Sequence, residues 1–492
     1  EGFIRRVSLD LTGRMPTPRE VNDFVKDREP DKRARLIDKL LAGDAYARHR
    51  ANYWRDVIAA KYTDRRQQAL LPEFEKWLTA EFRENKSWKD MTRAMLTAEG
   101  GVALRPGVSA DPSKEKFESN GAAVFLLAHL GDDQAEERAA ETSRVFLGIQ
   151  IQCAQCHDHP FDEWKQRQFH ELAGYFSRLR SRQYVGQQTK GQPRIELLSL
   201  PFREHKLPDR NDPTKGTPVA PKFLTGNAPQ PGLSDEQRRA DLADQVTSPD
   251  NFWFAAAFVN RTWGELMGQA FAEPVDDMGP GKDVYLPLLL TRLSASFRAT
   301  DYDVKQLLRT ICNSRAYQRQ IRAGLSTGEH LHFAAASPTR LRAEEIWQSL
   351  ANVLGPLGPP LDSRIAVAAA FGANRRPLPL QFNVLSEFRF DPSLKPDEVE
   401  GTIPQALMLM NNRDINRAVQ VRGSNTLGDI LKRYPEDKEA VRVLYYKALA
   451  RRPSDRELSK AVAYVHKSGK RDEAYEDLLW ALINSTEFQT KR

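Results

Sequence analysis

Two of the three cysteines in this 492-residue chain stand in one five-residue string, Cys153-Ala154-Gln155-Cys156-His157. Thiols at this spacing lie about one helical turn apart and can each add to one of the two vinyl groups of a porphyrin. The next residue then lies beneath the iron and offers an imidazole nitrogen as proximal ligand. C-x-x-C-H is for this reason the attachment signature of c-type haem. The string predicts one covalent haem c, with Cys153 and Cys156 as thioethers and His157 on the iron. Two other chemistries fit the same residue types. One is a Cys-X-X-Cys zinc half-site completed by His157, His159 or a distant residue, since zinc accepts sulfur and nitrogen ligands in a tetrahedron. The other is a structural or redox-active disulfide. Zinc is disfavoured by spacing, because no His-x3-His pair follows and His157 and His159 crowd Cys156.

The residues around the string extend the candidate site. His159 is too near His157 to reach the opposite face of a haem. It is instead a candidate for a propionate, or for a second polar site shared with Asp158 and Asp162. Arg144, one helical stretch earlier, is a candidate propionate partner, against its reading as an ordinary surface arginine. No sixth ligand is evident. Met267 and Met278 lie more than about a hundred residues on, whereas small cytochromes supply this ligand from the same domain. His170 on the following helix and His129 on a preceding apolar one are candidates, each with a hydrogen-bonded structural role as the plainer reading. An open sixth position would bind small ligands or activate peroxide, whereas a closed one passes electrons.

Other chemistries are poorly represented. Gly279-Pro280-Gly281-Lys282 lacks the Gly-x4-Gly-Lys-Ser/Thr spacing of a phosphate loop. Nucleophile elbows, zinc-protease helices and dinucleotide fingerprints are absent from the sequence. The acidic pairs Asp276-Asp277 and Glu344-Glu345 read as solvated or ion-paired, and Cys312 as a buried small hydrophobe. The chain carries 73 Lys and Arg against 66 Asp and Glu, a net charge of +7 that is well mixed along its length. Its basic cluster at Arg178-Leu179-Arg180-Ser181-Arg182 lacks interleaved aromatics, so no nucleic-acid partner is expected. No apolar run approaches the ~20 residues of a membrane span. The chain starts at Glu1 without a signal peptide and is read as lacking an N-terminal part.

The elements that must position these groups are mostly helical. Thr17-Pro18-Arg19-Glu20 and Ser234-Asp235-Glu236-Gln237 are capping boxes. Periodicity predicts helices near 31–42, 44–61, 70–84, 87–98, 118–130 and 135–150, the last leading straight into the cysteine string. A further helix is expected from Phe161 through His170 to Phe176. From about 180 to 232 periodicity gives way to Pro, Gly and short apolar pieces such as Ile195-Glu196-Leu197-Leu198, which read as strands. The fold class expected is mostly α, with a multi-helical domain over 1–179, a small β-containing connector over 180–233 and a second helical domain over 234–492. A weak internal repeat pairs Gly13–Val21 with Ala450–Leu458. Similar helix endings precede Tyr46, Tyr317 and Phe488, whose aromatic rings are expected to plug the turn.

Arg5-Arg6-Val7-Ser8-Leu9-Asp10-Leu11-Thr12-Gly13-Arg14 resembles the opening of the planctomycete-type cytochrome c-like domain. Cys153 through Asp162 resembles its haem motif, which adds Asp158, His159, Pro160, Phe161 and Asp162 to the minimal five residues. Phe258-Val259-Asn260-Arg261-Thr262-Trp263, Ser337–Glu344 and Gln405–Asn412 resemble the companion domain that usually follows it. The likeness covers nearly the whole chain, and both domains are of uncharacterised function. It implies an exported protein, periplasmic or extracellular, bearing a c-type haem, with a redox partner protein and secreted hydrolases as company. The expected role is electron transfer or haem-dependent oxidation, linked to extracellular polymer degradation. The rivals are a structural or binding protein whose Cys-X-X-Cys-His site holds zinc or a disulfide, and a hydrolase with its site in the β-containing connector.

Overall fold

The helices read from capping boxes start at those caps. In the computed structural model, which describes residues 1–104, 117–131, 133–184, 193–209, 212, 215–321, 333, 336–358, 378–396, 398–422 and 425–491, the Thr17 hydroxyl accepts from Glu20 N and Glu20 reaches back to Thr17 N. This closes the start of helix Pro18–Lys26 by satisfying two N–H groups that have no partner within the helix. Ser234 and Gln237 do the same for Asp235–Thr247. Helices Lys32–Leu41, Asp44–Ile58, Arg65–Arg83 and Trp88–Leu96 follow the first. The third of these begins earlier than expected, because Asp64 caps it and Pro72 is carried inside it. The chain is mostly α-helical, with three small sheets among the described residues, and none of its described helices is long and apolar enough to cross a membrane.

The segments flanking the cysteine string depart from the expected helices. Within 118–130 the helix is short, a 3-10 turn Gly121–Ala123 running into one α-helical turn Val124–Leu127. Helix Gln134–Thr142 widens into a π-turn over Ser143–Leu147 and stops at Gly148, whose φ is 66°. A Cβ at Gly148 would lie 3.1 Å from that of Ala257, so close packing against helix Phe252–Met267 and the left-handed backbone both favour glycine there. The chain therefore turns before it reaches the cysteines. Beyond them, Phe161–Trp164 is loop and the helix begins only at Gln166, because buried Trp164 directs its carbonyl back to His159 N at 2.8 Å.

The β-containing connector is woven into the helical part. Leu179–Tyr184 and Arg194–Ser199 pair antiparallel, and Gly101–Ala103 adds to the free edge of the second strand. His205–Pro208 pairs with Gly216–Val219. The buried side chains fall into two main cores. The larger runs from Val7 to Ala336; the smaller holds Leu9, Met15 and residues from Leu341 to Phe488. The core thus divides near 337–340. The two cores meet on helix Gly2–Thr12. Arg5 donates to the Glu487 and Thr490 carbonyls at 2.7 and 2.9 Å, and Arg6 to the Tyr317 and Leu266 carbonyls at 2.7 and 2.8 Å. Asp10 accepts from the Tyr317 hydroxyl at 2.7 Å and pairs with Lys491 at 3.1 Å. The polar residues of this opening segment are structural: they fasten the C-terminal region to the larger core.

Candidate functional site around the cysteine string

Residues Ile151–Gln155 form a 3-10 turn. Ile151 and Ala154 point into the core, which turns Cys153, Cys156 and His157 outward to solvent. Period-three spacing is the reason: residues i and i+3 eclipse in a 3-10 helix, so the apolar pair and the thiol-bearing positions take different faces. Cys153 and Cys156 are exposed and unbridged, while Cys312 is buried, and burial raises the Cys312 thiol far above its ordinary pKa. The His157 imidazole bonds the Asp158 carbonyl through Nδ1 at 2.7 Å. A carbonyl can only accept, so the proton sits on Nδ1 and Nε2 keeps the lone pair a metal needs.

The neighbouring polar residues hold the loop. Asp158 accepts from Gln166 N at 3.0 Å, at the start of helix Gln166–Ala173, and pairs with Lys165 at 3.3 Å. His159 Nδ1 accepts from Phe161 N at 3.2 Å. Asp162 accepts from Glu163 N at 2.7 Å and from Gly281 N at 3.1 Å. Asp158 and His159 thus bond within their own loop, while Asp162 also reaches the Gly281 backbone. The donor atoms of Cys153, Cys156, His157 and His159 do not converge on a common point in this arrangement.

Arg144 is not the surface arginine that sequence allowed. It is 2% exposed, with bonds to Glu141 at 2.7 Å, Asp276 at 3.3 Å and the Val57 carbonyl at 2.8 Å. Gln150 also donates to Asp276, at 2.7 Å, one residue before the 3-10 turn. Burial favours the neutral acid, but Arg261 and Arg144 outweigh it and hold Asp276 below the usual carboxylate range. The Arg144 guanidinium thus bonds two buried carboxylates and one backbone carbonyl. Of the two readings of the acidic pair, Asp276 takes the ion-paired one: it is 2% exposed and pairs with Arg144 and Arg261 at 3.3 and 3.8 Å. Asn260 shapes the approach to Asp276: its Oδ1 accepts from Phe271 N and Ala272 N at 2.8 and 3.0 Å.

Of the sixth-ligand candidates, Met267 and Met278 are buried in the larger core. His129 is buried 3.4 Å from Glu137. His170 is buried too. Its Nε2 lies 2.9 Å from the Gln155 carbonyl inside the cysteine string, and its Nδ1 lies 2.8 Å from His205 Nε2. Glu136 Oε1 stands 3.9 Å from that same His205 nitrogen. Among the described residues, Glu136, His170 and His205 form the one group of three whose ligand atoms converge, all within 4.8 Å of one another. Sequence reading reached His170 but missed Glu136 and His205. They lie on separate elements, with no short spacing to betray them.

Comparison with known proteins adds family without activity. No curated protein and no solved structure matches the chain. Residues 1–181 match the family model described as PSCyt2, a protein of unknown function (DUF1549), and residues 238–369 match that described as PSD1, a protein of unknown function (DUF1553). The chain thus carries these two domains of unknown function, in that order, and the cysteine string lies in the first.

Proposed function

We propose that this protein is an exported c-type haem protein with a redox role, its haem bound to Cys153 and Cys156 with His157 as the proximal ligand. The observation that carries the reading is the turn itself. Two exposed, unbridged thiols and an exposed imidazole stand on and just after one short 3-10 turn, and the hydrogen bond from His157 Nδ1 to the Asp158 carbonyl leaves Nε2 with the lone pair that an iron ligand needs. Each thiol adds across a vinyl group, sulfur to carbon and hydrogen to carbon, with no leaving group. A bound haem would supply one-electron chemistry, and an exposed turn places it where a partner protein can approach. Export follows from the reading, since thioether attachment takes place after translocation.

The experiment is the intact mass and pyridine haemochrome spectrum of protein from a host with haem-maturation machinery. One covalent haem, lost in Cys153→Ala with Cys156→Ala, is expected. An apo mass with two fast-reacting thiols, and a third reactive only on unfolding, would overturn the reading. It would leave the zinc, disulfide or binding-protein alternative.

A further inference from the structure

Behind the cysteine turn, three elements bring together a second ligand set. Glu136 comes from helix Gln134–Thr142, His170 from helix Gln166–Ala173 and His205 from the first position of strand His205–Pro208. His170 Nε2 faces the Gln155 carbonyl at 2.9 Å. A carbonyl only accepts, so the proton is on Nε2 and the Nδ1 lone pair faces His205 Nε2. This is the arrangement in which metal-bound histidines are found, with the far nitrogen donating to a backbone carbonyl that fixes tautomer and ring orientation. The His205 ring lies nearly parallel to the His170 ring, at 22°.

We propose that Glu136 Oε1, His170 Nδ1 and His205 Nε2 bind one zinc-class divalent cation, with the Gln155 carbonyl as the outer partner of His170. Two imidazoles and one carboxylate suit zinc better than calcium or magnesium, which want all-oxygen shells. Zinc–ligand bonds of about 2.0–2.1 Å in a tetrahedron set neighbouring ligand atoms roughly 3.3 Å apart. The 2.8 Å and 3.9 Å separations bracket that value, and the remaining pair, Glu136 and His170, lies within 4.8 Å, so side-chain adjustments complete the shell. A cavity lined by Glu136, His205, Arg180, Phe202 and Lys206 reaches the group, giving the cation an entry path and leaving its fourth position to water. Glu204, on the same wall, is held by Arg238 at 2.9 Å and by Arg178, and so is not a ligand.

The test uses the full chain carrying Cys153→Ser and Cys156→Ser, which removes haem attachment and thiolate ligation together. Its outcome is therefore independent of the haem reading. Cobalt(II) added to this protein should bind at one equivalent, giving ligand-field bands without a thiolate charge-transfer band, and zinc should displace it. Glu136→Gln, close in shape, and His205→Ala should each weaken binding by about 100-fold or more, with unchanged circular dichroism. Failure of the doubly substituted, folded protein to bind cobalt or zinc would overturn the proposal. Equal binding after both ligand substitutions would overturn it too.

Discussion

The carboxylate of Asp162 accepts the backbone N–H of Gly281 at 3.1 Å, across 119 residues of chain. The contact joins the loop after the cysteine string to the Gly279-Pro280-Gly281-Lys282 turn. It thus ties the first matched domain to the second. A Cβ at Gly279 would stand 1.6 Å from Asp162 Oδ2, so the glycine makes room for the carboxylate. The sequence excluded a phosphate loop here, and the turn instead holds an anionic side chain of the protein itself.

Substitution of this glycine should dislodge the carboxylate. Gly279→Ala is expected to cost about 1.5–3 kcal/mol, the usual range for a hydrogen bond to a charged group. Combined with Asp162→Ala it should cost markedly less than the sum of the two changes, because the collision and the bond involve one pair of groups. Urea unfolding of the four proteins measures this cycle. Additive costs would show that Gly279 is small for some other reason.

The buried pair of Arg144 and Asp276 supports the cysteine turn through Gln150. Asp276→Ala removes an acceptor for both Gln150 and Arg144 and leaves Arg144 with Glu141 alone among the carboxylates it bonds. Breaking a buried ion pair by removing one partner costs about 3–5 kcal/mol, and the lower end is expected here because Glu141 remains. Asp276→Asn should cost less, since its amide oxygen can still accept from Gln150. Unfolding midpoints in urea give the comparison; an effect below about 1 kcal/mol for Asp276→Ala would place this carboxylate outside the buried class.

Two equivalent carboxylates set a dependence on acid. Burial alone would raise the Glu20 pKa, but bonds from Arg14 and Thr17 hold it at about 2. The Arg451 bond, working against burial, holds Glu457 at about 2 as well. A depressed folded-state pKa means that stability is fully present above the unfolded value near 4.5 and is lost as pH falls toward about 2. The side chains are 30% and 34% exposed, so solvent screening limits each to about 1 kcal/mol. Glu20→Gln with Glu457→Gln keeps the capping geometry and removes the charge. The gap between wild type and this variant, measured by thermal unfolding, should be widest at pH 7 and close near pH 2. A gap unchanged at pH 2 would contradict the assignment.

The same two residues show how far local pattern carries. The weak repeat of Gly13–Val21 in Ala450–Leu458 is a repeated structure. Gly13 and Ala450 both end a helix in the left-handed region, with φ of 65° and 55°. Arg14 and Arg451 both clamp a glutamate from two sides, at 3.0 and 2.8 Å and at 2.9 and 2.9 Å. Thr17 and Ser454 both cap the helix that follows. Tyr46, Tyr317 and Phe488, expected to plug their turns, are all buried. Gly43, with a φ of −84°, is the cap of the next helix. Two helices so close in sequence leave no room for a separate terminator.

What the chain determined by itself depends on near neighbours: mostly helical elements, many of their caps, the repeat, and the spacing of the five-residue string. These signals survive without a fold because hydrogen bonding and periodicity act over a few residues. Only the tertiary structure decided that Arg144 is buried against Asp276, that the division of the core falls near 340, and that Glu136 and His205 stand beside His170. Such placements depend on which elements pack together, and burial reassigns a charged side chain according to partners more than a hundred residues away. Arg144 and Asp276 are 132 residues apart, and no spacing rule spans that distance.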